Sequence, residues 1–487
     1  MINYKMANRK TNWRWWICSL LFVATTVNYL DRQVLSLTWK DFIAPEFHWN
    51  DNNYGNIVAI FSIFYAFISL FAGRVIDWLG TKRGYITAIV VWSVGACLHA
   101  GCGWATMQLT GLPDKAALLA LKDGTALTLM VTTISVWLFL ACRIVLATGE
   151  AGNFPAAIKV TAEYFPKKDR ALATSIFNAG ASVGALAAPL TIPLLAQRFG
   201  WEMAFIIIGG IGFIWAGLWF VLYAPPAKSR FVNAAELEYI HQDEDHATPA
   251  TAQTITSSPA DGKGVGLLRY FTFRQTWAFI VGKLLTDGVW WFLLFWAPAY
   301  FSELGYPSSS GMGQALIFVL YLIVTLVSIG GGYLPKFFVE HHGMNPYAGR
   351  MRAMLIFAFM PVFAMFAQPL ADVSPWWPAL IIGVAGAGHQ AWSANLYSTI
   401  GDMFPKSAVA TITGIGTMFG GLCSFAINKG SGMLFTYAEG QGAAFTFFGV
   451  EGKPAAYMMV FCYCAVAYIV AWCCIKALVP HYRKVEI

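Results

Sequence analysis

The chain has 487 residues, 57% hydrophobic and only 12% charged, with a net charge of +7 and a mean hydropathy of +0.57. A soluble protein of this length carries about 25% charged residues, so a water-soluble enzyme or nucleic-acid-binding domain is excluded as the main body of the fold. The nine cysteines fall inside or at the ends of apolar stretches, and their spacing supports neither a disulfide framework nor a zinc site.

In chain order, twelve apolar stretches occur near 15–37, 54–78, 84–104, 129–163, 170–197, 202–223, 275–301, 313–335, 351–369, 377–402, 408–428 and 455–478. Each is long enough to cross a hydrocarbon core of about 30 Å as a helix. Strands of a barrel would alternate and be half as long. The expected fold is therefore an all-α membrane protein with twelve transmembrane helices. The first stretch follows Lys5, Arg9, Lys10 and Arg14 and reads as a span, because it is too long for a cleavable leader and no small-residue cleavage site follows. With both termini in the cytoplasm, most of the 32 Lys and Arg fall on the cytoplasmic side, as the positive-inside rule requires. The net positive charge then reports topology, and no nucleic-acid partner is implied.

Between spans six and seven, residues 224–272 form the longest polar interruption. Pro225-Pro226 is followed by Asn233-Ala-Ala-Glu236, a capping-box pattern that predicts a short helix through Ile240. From His246 to Gly266 the composition is that of a flexible linker. This divides the chain into an N-terminal six-helix bundle (1–223) and a C-terminal one (273–487), an arrangement suited to rocking about a midplane site. Two outer loops are long: 105–127, in which 114–122 suggests a short interfacial helix, and the Gly-rich 429–453, expected to be a loop.

Charge inside the spans points to function. Asp31 and Arg32 lie in the first, Arg143 and Glu150 in the fourth. Each costs about 2.5–3.5 kcal/mol on insertion scales, which implies work on a substrate or a proton. Arg143 and Glu150 are seven apart and face nearly the same way on a helix. Burial and a neighbouring arginine pull a carboxyl's proton affinity in opposite directions, so movement of Arg143 would switch Glu150 between its charged and neutral forms. A permanent salt bridge is the plainer alternative. Arg32 offers a planar fork to a carboxylate; Asp31 reads as a second protonation site or a partner for another helix.

Polar residues elsewhere in the spans suit a polyhydroxylated acid or, equally, helix–helix hydrogen bonds. They are Asn178 in span five and His389, Gln390, Ser393 and Asn395 in span ten. Trp290, Trp291, Trp296 and Trp392 offer stacking faces or core packing. Lys283 and Asp287, four apart, either neutralise each other or free Lys283 for an anion. Gly180-Ala-Ser182-Val-Gly184 matches a hydrolase elbow but lies inside span five, where it reads as a close-packing face.

The turn after span two reads Gly73-Arg-Val-Ile-Asp77-Trp-Leu-Gly80-Thr-Lys82-Arg83-Gly84. This pattern, with the 6+6 organisation, resembles the major facilitator superfamily, whose cytoplasmic gate motif it matches at Gly73, Asp77, Gly80, Lys82 and Arg83. The second half carries only a degenerate copy at Gly331-Gly332-Tyr-Leu-Pro335-Lys336, without the acid. Asn28-Tyr29-Leu30-Asp31-Arg32, Arg143-x6-Glu150 and Glu163-Tyr-Phe-Pro166-x-x-Asp169-Arg170 resemble the anion:cation symporter family. The segment Gly388-His389-Gln390-Ala-Trp392-Ser393-Ala-Asn395 is similar to its hexuronate branch, which Lys283 and Asp287 also suit.

The resemblance implies a major facilitator fold, a multi-pass protein of the plasma membrane, and proton-coupled symport of a sugar acid such as glucuronate or galacturonate. Tyr29, Arg32 and Tyr65 would contact substrate, with Asp31 and Glu150 as the protonation pair. Aldonates, aldarates and Na⁺ coupling remain alternatives. No cofactor and no metal are expected, and the carrier is expected to work as a monomer in the lipid bilayer. A membrane enzyme on lipid-linked sugars would need a clustered acid, histidine or metal set at a membrane surface, and a sensor would need an output domain; neither is found.

Overall fold

The computed structural model describes residues 10–242, 267–328, 330–404 and 406–485. Its first half comprises α1 (Trp13–Thr38), a π-helical turn (Trp39–Ile43), α2 (Ala44–Phe47), α3 (Asp51–Leu79), α4 (Thr81–His99), α5 (Cys102–Thr110), α6 (Lys115–Leu119), α7 (Ala126–Glu150), α8 (Asn153–Tyr164), α9 (Lys167–Phe199), α10 (Trp201–Leu222) and α11 (Ala234–His241). The second half comprises α12 (Leu267–Tyr270), α13 (Arg274–Glu303), α14 (Gly311–Ser328), α15 (Gly330–His342), α16 (Pro346–Phe359), α17 (Ala367–Ala371), α18 (Trp376–Met403), α19 (Lys406–Gln441) and α20 (Gly452–Leu478). A hairpin of two-residue strands, β1 (Thr446–Phe447) and β2 (Val450–Glu451), pairs Thr446 with Glu451 just before α20.

All twelve expected spans fall on helical chain. Among the described residues, eight stretches are long and apolar enough to cross a membrane alone, and α4 with α5, bent by 50°, makes a ninth if that pair is one span. Helix starts follow ordinary capping chemistry. Asn50, Thr125 and Asn345 each accept a bond from the backbone N–H three residues on, opening α3, α7 and α16.

Two boundaries differ from the sequence reading. The fourth span breaks at Ala151–Gly152 into α7 and α8, which leaves Glu150 on the last turn of α7. The 429–453 segment is helical as far as Gln441, because α19 continues along α3 at very short range. A Cβ added at Gly432 would lie 2.6 Å from Asp51 O and 3.0 Å from Gly55 Cα, so the glycines that suggested a loop instead permit two backbones to touch. Gly180 and Gly184 do the same for α9 against α1: added Cβ atoms there would meet Phe22 O at 2.4 Å and Thr26 O at 2.6 Å.

The predicted helix after Asn233 forms, with Asn233 Oδ1 accepting from Glu236 N at 2.9 Å. Glu236 does not complete the box, however. Its carboxylate is fully buried against the start of α1, accepting from Trp13 N at 3.0 Å and pairing with Arg14 at 3.1 Å. Trp13 stacks on Phe231 at 4.2 Å, and Tyr239 donates to Asp169 at 2.8 Å. The first part of the 224–272 interval is thus bound to the N-terminal half. The expected flexible stretch from His246 to Gly266 lies outside the described residues.

The halves meet where α3 lies along α19 and α9 along α14, with α1 against α13. Polar contacts between them gather at the end opposite the linker. Lys40 pairs with Glu303 at 2.6 Å, and Lys453 reaches Asp51 at 2.5 Å and Glu303 at 2.6 Å. Ser302 and Ser308 each donate to Asp41 at 2.7 Å. Tyr54 donates to Phe295 O at 2.8 Å, and at mid-span Ser424 donates to Ser62 at 2.9 Å. That end is closed. Glu46, in α2 at the same end, accepts from Trp201 Nε1 at 2.8 Å and pairs with Lys115 at 2.7 Å; burial pushes its carboxyl above the usual range.

Candidate functional site: a charged cluster beside a cleft between the halves

α1 and α7 bring the four charged span residues together, all buried. Their pairing differs from the sequence expectation. Glu150 Oε2 accepts from Arg32 Nη2 at 2.7 Å and from Arg32 Nε at 3.0 Å. Arg143 does not hold it: seven residues on one helix separate the two by about 10 Å of rise, and the arginine of the neighbouring helix takes the carboxylate. Arg143 Nη2 lies 3.5 Å from Arg32 O, its guanidinium sits 5.3 Å from the Phe61 ring, and its Nε and Nη1 have no hydrogen-bond partner among the described residues. Both Asp31 oxygens and Glu150 Oε1 are likewise unpartnered there. Unfilled polar groups deep in a helical bundle are expensive to maintain.

Around Arg32 stand Tyr65 at 4.8 Å, Trp291 at 5.2 Å, Tyr29 at 5.3 Å and Phe61 at 6.0 Å, measured to the ring centres. Three of the expected substrate contacts, Tyr29, Arg32 and Tyr65, are therefore neighbours, and Trp291 of α13 closes the ring from the other half. Next to them a cleft of about 260 Å³ runs between the halves, lined by Tyr29 and Asn178 on one wall and by Trp290, Tyr321, Ser328 and Gln390 on the other. Drug-sized ligands occupy about 300–1,000 Å³; this space suits a single small molecule.

Three expected contacts lie away from this cleft. Asn395 donates to Gly331 O and Ala391 O, both at 2.8 Å, so its amide ties α18 to α15. Lys283 pairs with Asp287 at 2.6 Å and bonds Tyr397 at 2.9 Å, the self-neutralising alternative. His389 stacks behind Trp290, with Nδ1 2.7 Å from Tyr468 Oη. Sequence reasoning missed the contacts that close the far end. Asp51 and Lys453, at the starts of α3 and α20, are 402 residues apart, and only the fold shows that they meet.

Residues 21–427 match the family model described as Major Facilitator Superfamily. The chain belongs to that superfamily. It is an integral multi-pass membrane transporter and not an enzyme. It is 27% identical over 424 residues to the hexuronate transporter of Escherichia coli K12, covering 86% of this chain and 87% of the relative. It is 24% identical to the galacturonate transporter of Dickeya chrysanthemi, covering 74% and 94%, and 25% identical to the "Probable galactarate/D-glucarate transporter GarP" of E. coli K12, covering 84% and 86%. Among solved structures, a bacterial homolog of the human lysosomal transporter Spinster, inward-facing and unoccupied, superposes with a TM-score of 0.66 at 16% identity over 98% of this chain and 99% of that one. The D-xylose-proton symporter gives 0.63 at 15% identity, over 94% and 96%.

The turn that carries the expected gate motif joins α3 to α4 at Gly80, whose φ of +76° suits glycine. Gly73 packs near Pro155 of α8, and Lys82 sits 5.0 Å from the Phe220 ring of α10. Arg83 shares a recess with Lys159 and Glu163, and Thr81 donates to Glu163 at 2.5 Å. Tyr223 also donates to Glu163. The motif is thus knitted into α8 and α10 through Glu163; the Asp77 side chain lies outside the described residues.

Proposed function

We propose that the protein is a proton-driven symporter that imports a sugar acid, a hexuronate such as glucuronate or galacturonate, across the inner membrane by alternating access. It would act as a monomer with both termini and the linker in the cytoplasm. The observation that carries this reading is the Arg32–Glu150 pair set beside a cleft between the halves. A proton on Glu150 removes the charge that holds Arg32, and the freed guanidinium fork then takes the substrate carboxylate with two parallel bonds. Proton and anion thereby enter together, and the loaded site is near neutral when the halves swing. Tyr29, Tyr65, Asn178 and Gln390 supply hydroxyl partners. Asp31, unpartnered in the same cluster, serves as the second proton site. The relatives named as hexuronate and galacturonate transporters support the substrate class.

A second reading, transport of a dicarboxylate aldarate, has one observation in its favour beyond the galactarate/D-glucarate relative: Arg143 holds spare donors beside Arg32, enough for a second carboxylate. Uptake into proteoliposomes separates the readings, using labelled glucuronate, galacturonate, galactonate and glucarate under an imposed pH gradient and, separately, a Na⁺ gradient. Accumulation of a uronate driven by the pH gradient is expected; accumulation of none of the four overturns the proposal.

A further inference from the structure

Among the tryptophans of α13 and α18, Trp296 and Trp392 are fully buried and Trp291 faces Arg32. Trp290 alone of these lines the cleft. Its ring is held in place. The ring stacks on the His389 imidazole, the planes 8° apart and the centres 5.6 Å apart, and Tyr468 holds the imidazole at its edge, Oη 2.7 Å from Nδ1. Tyr468 is itself buried and donates to Thr286 O at 3.3 Å. Beneath the indole, Gly386 leaves only enough room for contact: a Cβ there would sit 3.6 Å from Trp290 Cζ3. The ring so held lines the cleft, with Tyr29 and Asn178 on the facing wall.

We infer that Trp290 is a specificity-determining residue that selects the closed pyranose ring of a uronate over open-chain sugar acids, with His389 as its positioning residue. This rests on the sugar-acid reading above. A pyranose presents one flat C–H face and a rim of hydroxyls; the first matches an indole and the second matches Asn178, Gln390 and Tyr29. An open-chain aldonate or aldarate carries hydroxyls on all sides and has no such face. It must also freeze several rotors on binding, each costing about 0.5–1.5 kcal/mol. Because Trp290 and Trp291 are adjacent, one indole meets the ring while its neighbour covers the arginine proposed to hold the carboxylate.

The test is competition for uptake in proteoliposomes by wild type, W290F, W290L and H389A, comparing glucuronate and galacturonate with galactonate and glucarate. Wild type is expected to prefer the cyclic acids. In W290L the ratio of cyclic to open-chain apparent affinity should fall about tenfold, and W290F, which keeps an aromatic face, should lose less. H389A should move the ratio in the same direction as W290L, a readout that a general loss of stability would not shift. An unchanged ratio in folded W290F and W290L, or a wild type that takes up open-chain acids in preference to cyclic ones, overturns the inference while leaving a sugar-acid carrier intact. A wild type that accumulates none of the four acids removes both.

Discussion

Arg32 has two suitors in this molecule, one present and one proposed. The Glu150 carboxylate now occupies two of its donors, and a substrate carboxylate would need the same geometry. Glu150→Gln removes the negative charge but keeps an oxygen for Arg32, so the fold should survive with little loss. Exchange of substrate across the membrane should persist while accumulation against a gradient disappears. Counterflow and pH-driven uptake, measured side by side, check this; retained accumulation would remove Glu150 from coupling. Arg32→Lys keeps the charge but loses the planar fork, and should weaken substrate affinity by about tenfold or more on the scale of a lost charge-assisted bond of about 1.5–3 kcal/mol. A binding titration near wild-type affinity would argue against a two-point carboxylate contact.

At this scale the sequence was informative where cost is intrinsic to the residue. Charge in an apolar stretch betrays itself without a structure, and Asp31, Arg32, Arg143 and Glu150 meet in one cluster. Pairing was not legible, because it depends on which helix stands next to which. Seven residues of one helix suggested Arg143 with Glu150, whereas a neighbouring helix offered a nearer partner. Asn395 and Lys283 stayed ambiguous for a related reason: an amide or ammonium within a span has the same appearance whether it faces a ligand, a backbone carbonyl or its own i+4 neighbour.

Among helices, the crossing of α3 over α19 is the contact on which the closed end depends. Gly55 and Gly432 bring the two backbones together, and any side chain at Gly432 collides with Asp51 O. Gly432→Ala should therefore penalise the closed end by about 1–3 kcal/mol, the usual scale of overpacking, and push the carrier toward opening there. Spin labels on the exposed Lys122 and Tyr437, one in each half at that end, should report a longer or broader distance distribution; an unchanged one would mean that the crossing tolerates the methyl group. The same glycines explain the one long element misread from sequence. Glycine frequency signals a loop when it frees the backbone and a contact when it removes a side chain, and composition alone does not separate the two uses.

Over the whole molecule, the all-helical membrane fold was legible because membrane insertion is set by apolar length, a property local to each stretch. The conformational state was not, since it depends on charges far apart in sequence. Lys40, Asp51, Glu303 and Lys453 come from both halves and form a latch at the closed end. Lys453 is buried, and removing one member of a buried pair costs up to about 3–5 kcal/mol. Lys453→Met should therefore lower the melting temperature in detergent and, in the spin-label measurement, favour opening at that end; the outcome that contradicts this is a stable protein still held shut.

The clamp of Glu236 onto Arg14 and the start of α1 sets how the two bundles are leashed. The stretch from Ala224 to Gln242 is bound to the first bundle through Glu236 and Tyr239. The chain beyond Gln242 therefore departs toward the second bundle from beside the start of α1, the helix that carries Arg32, and not from the end of α10.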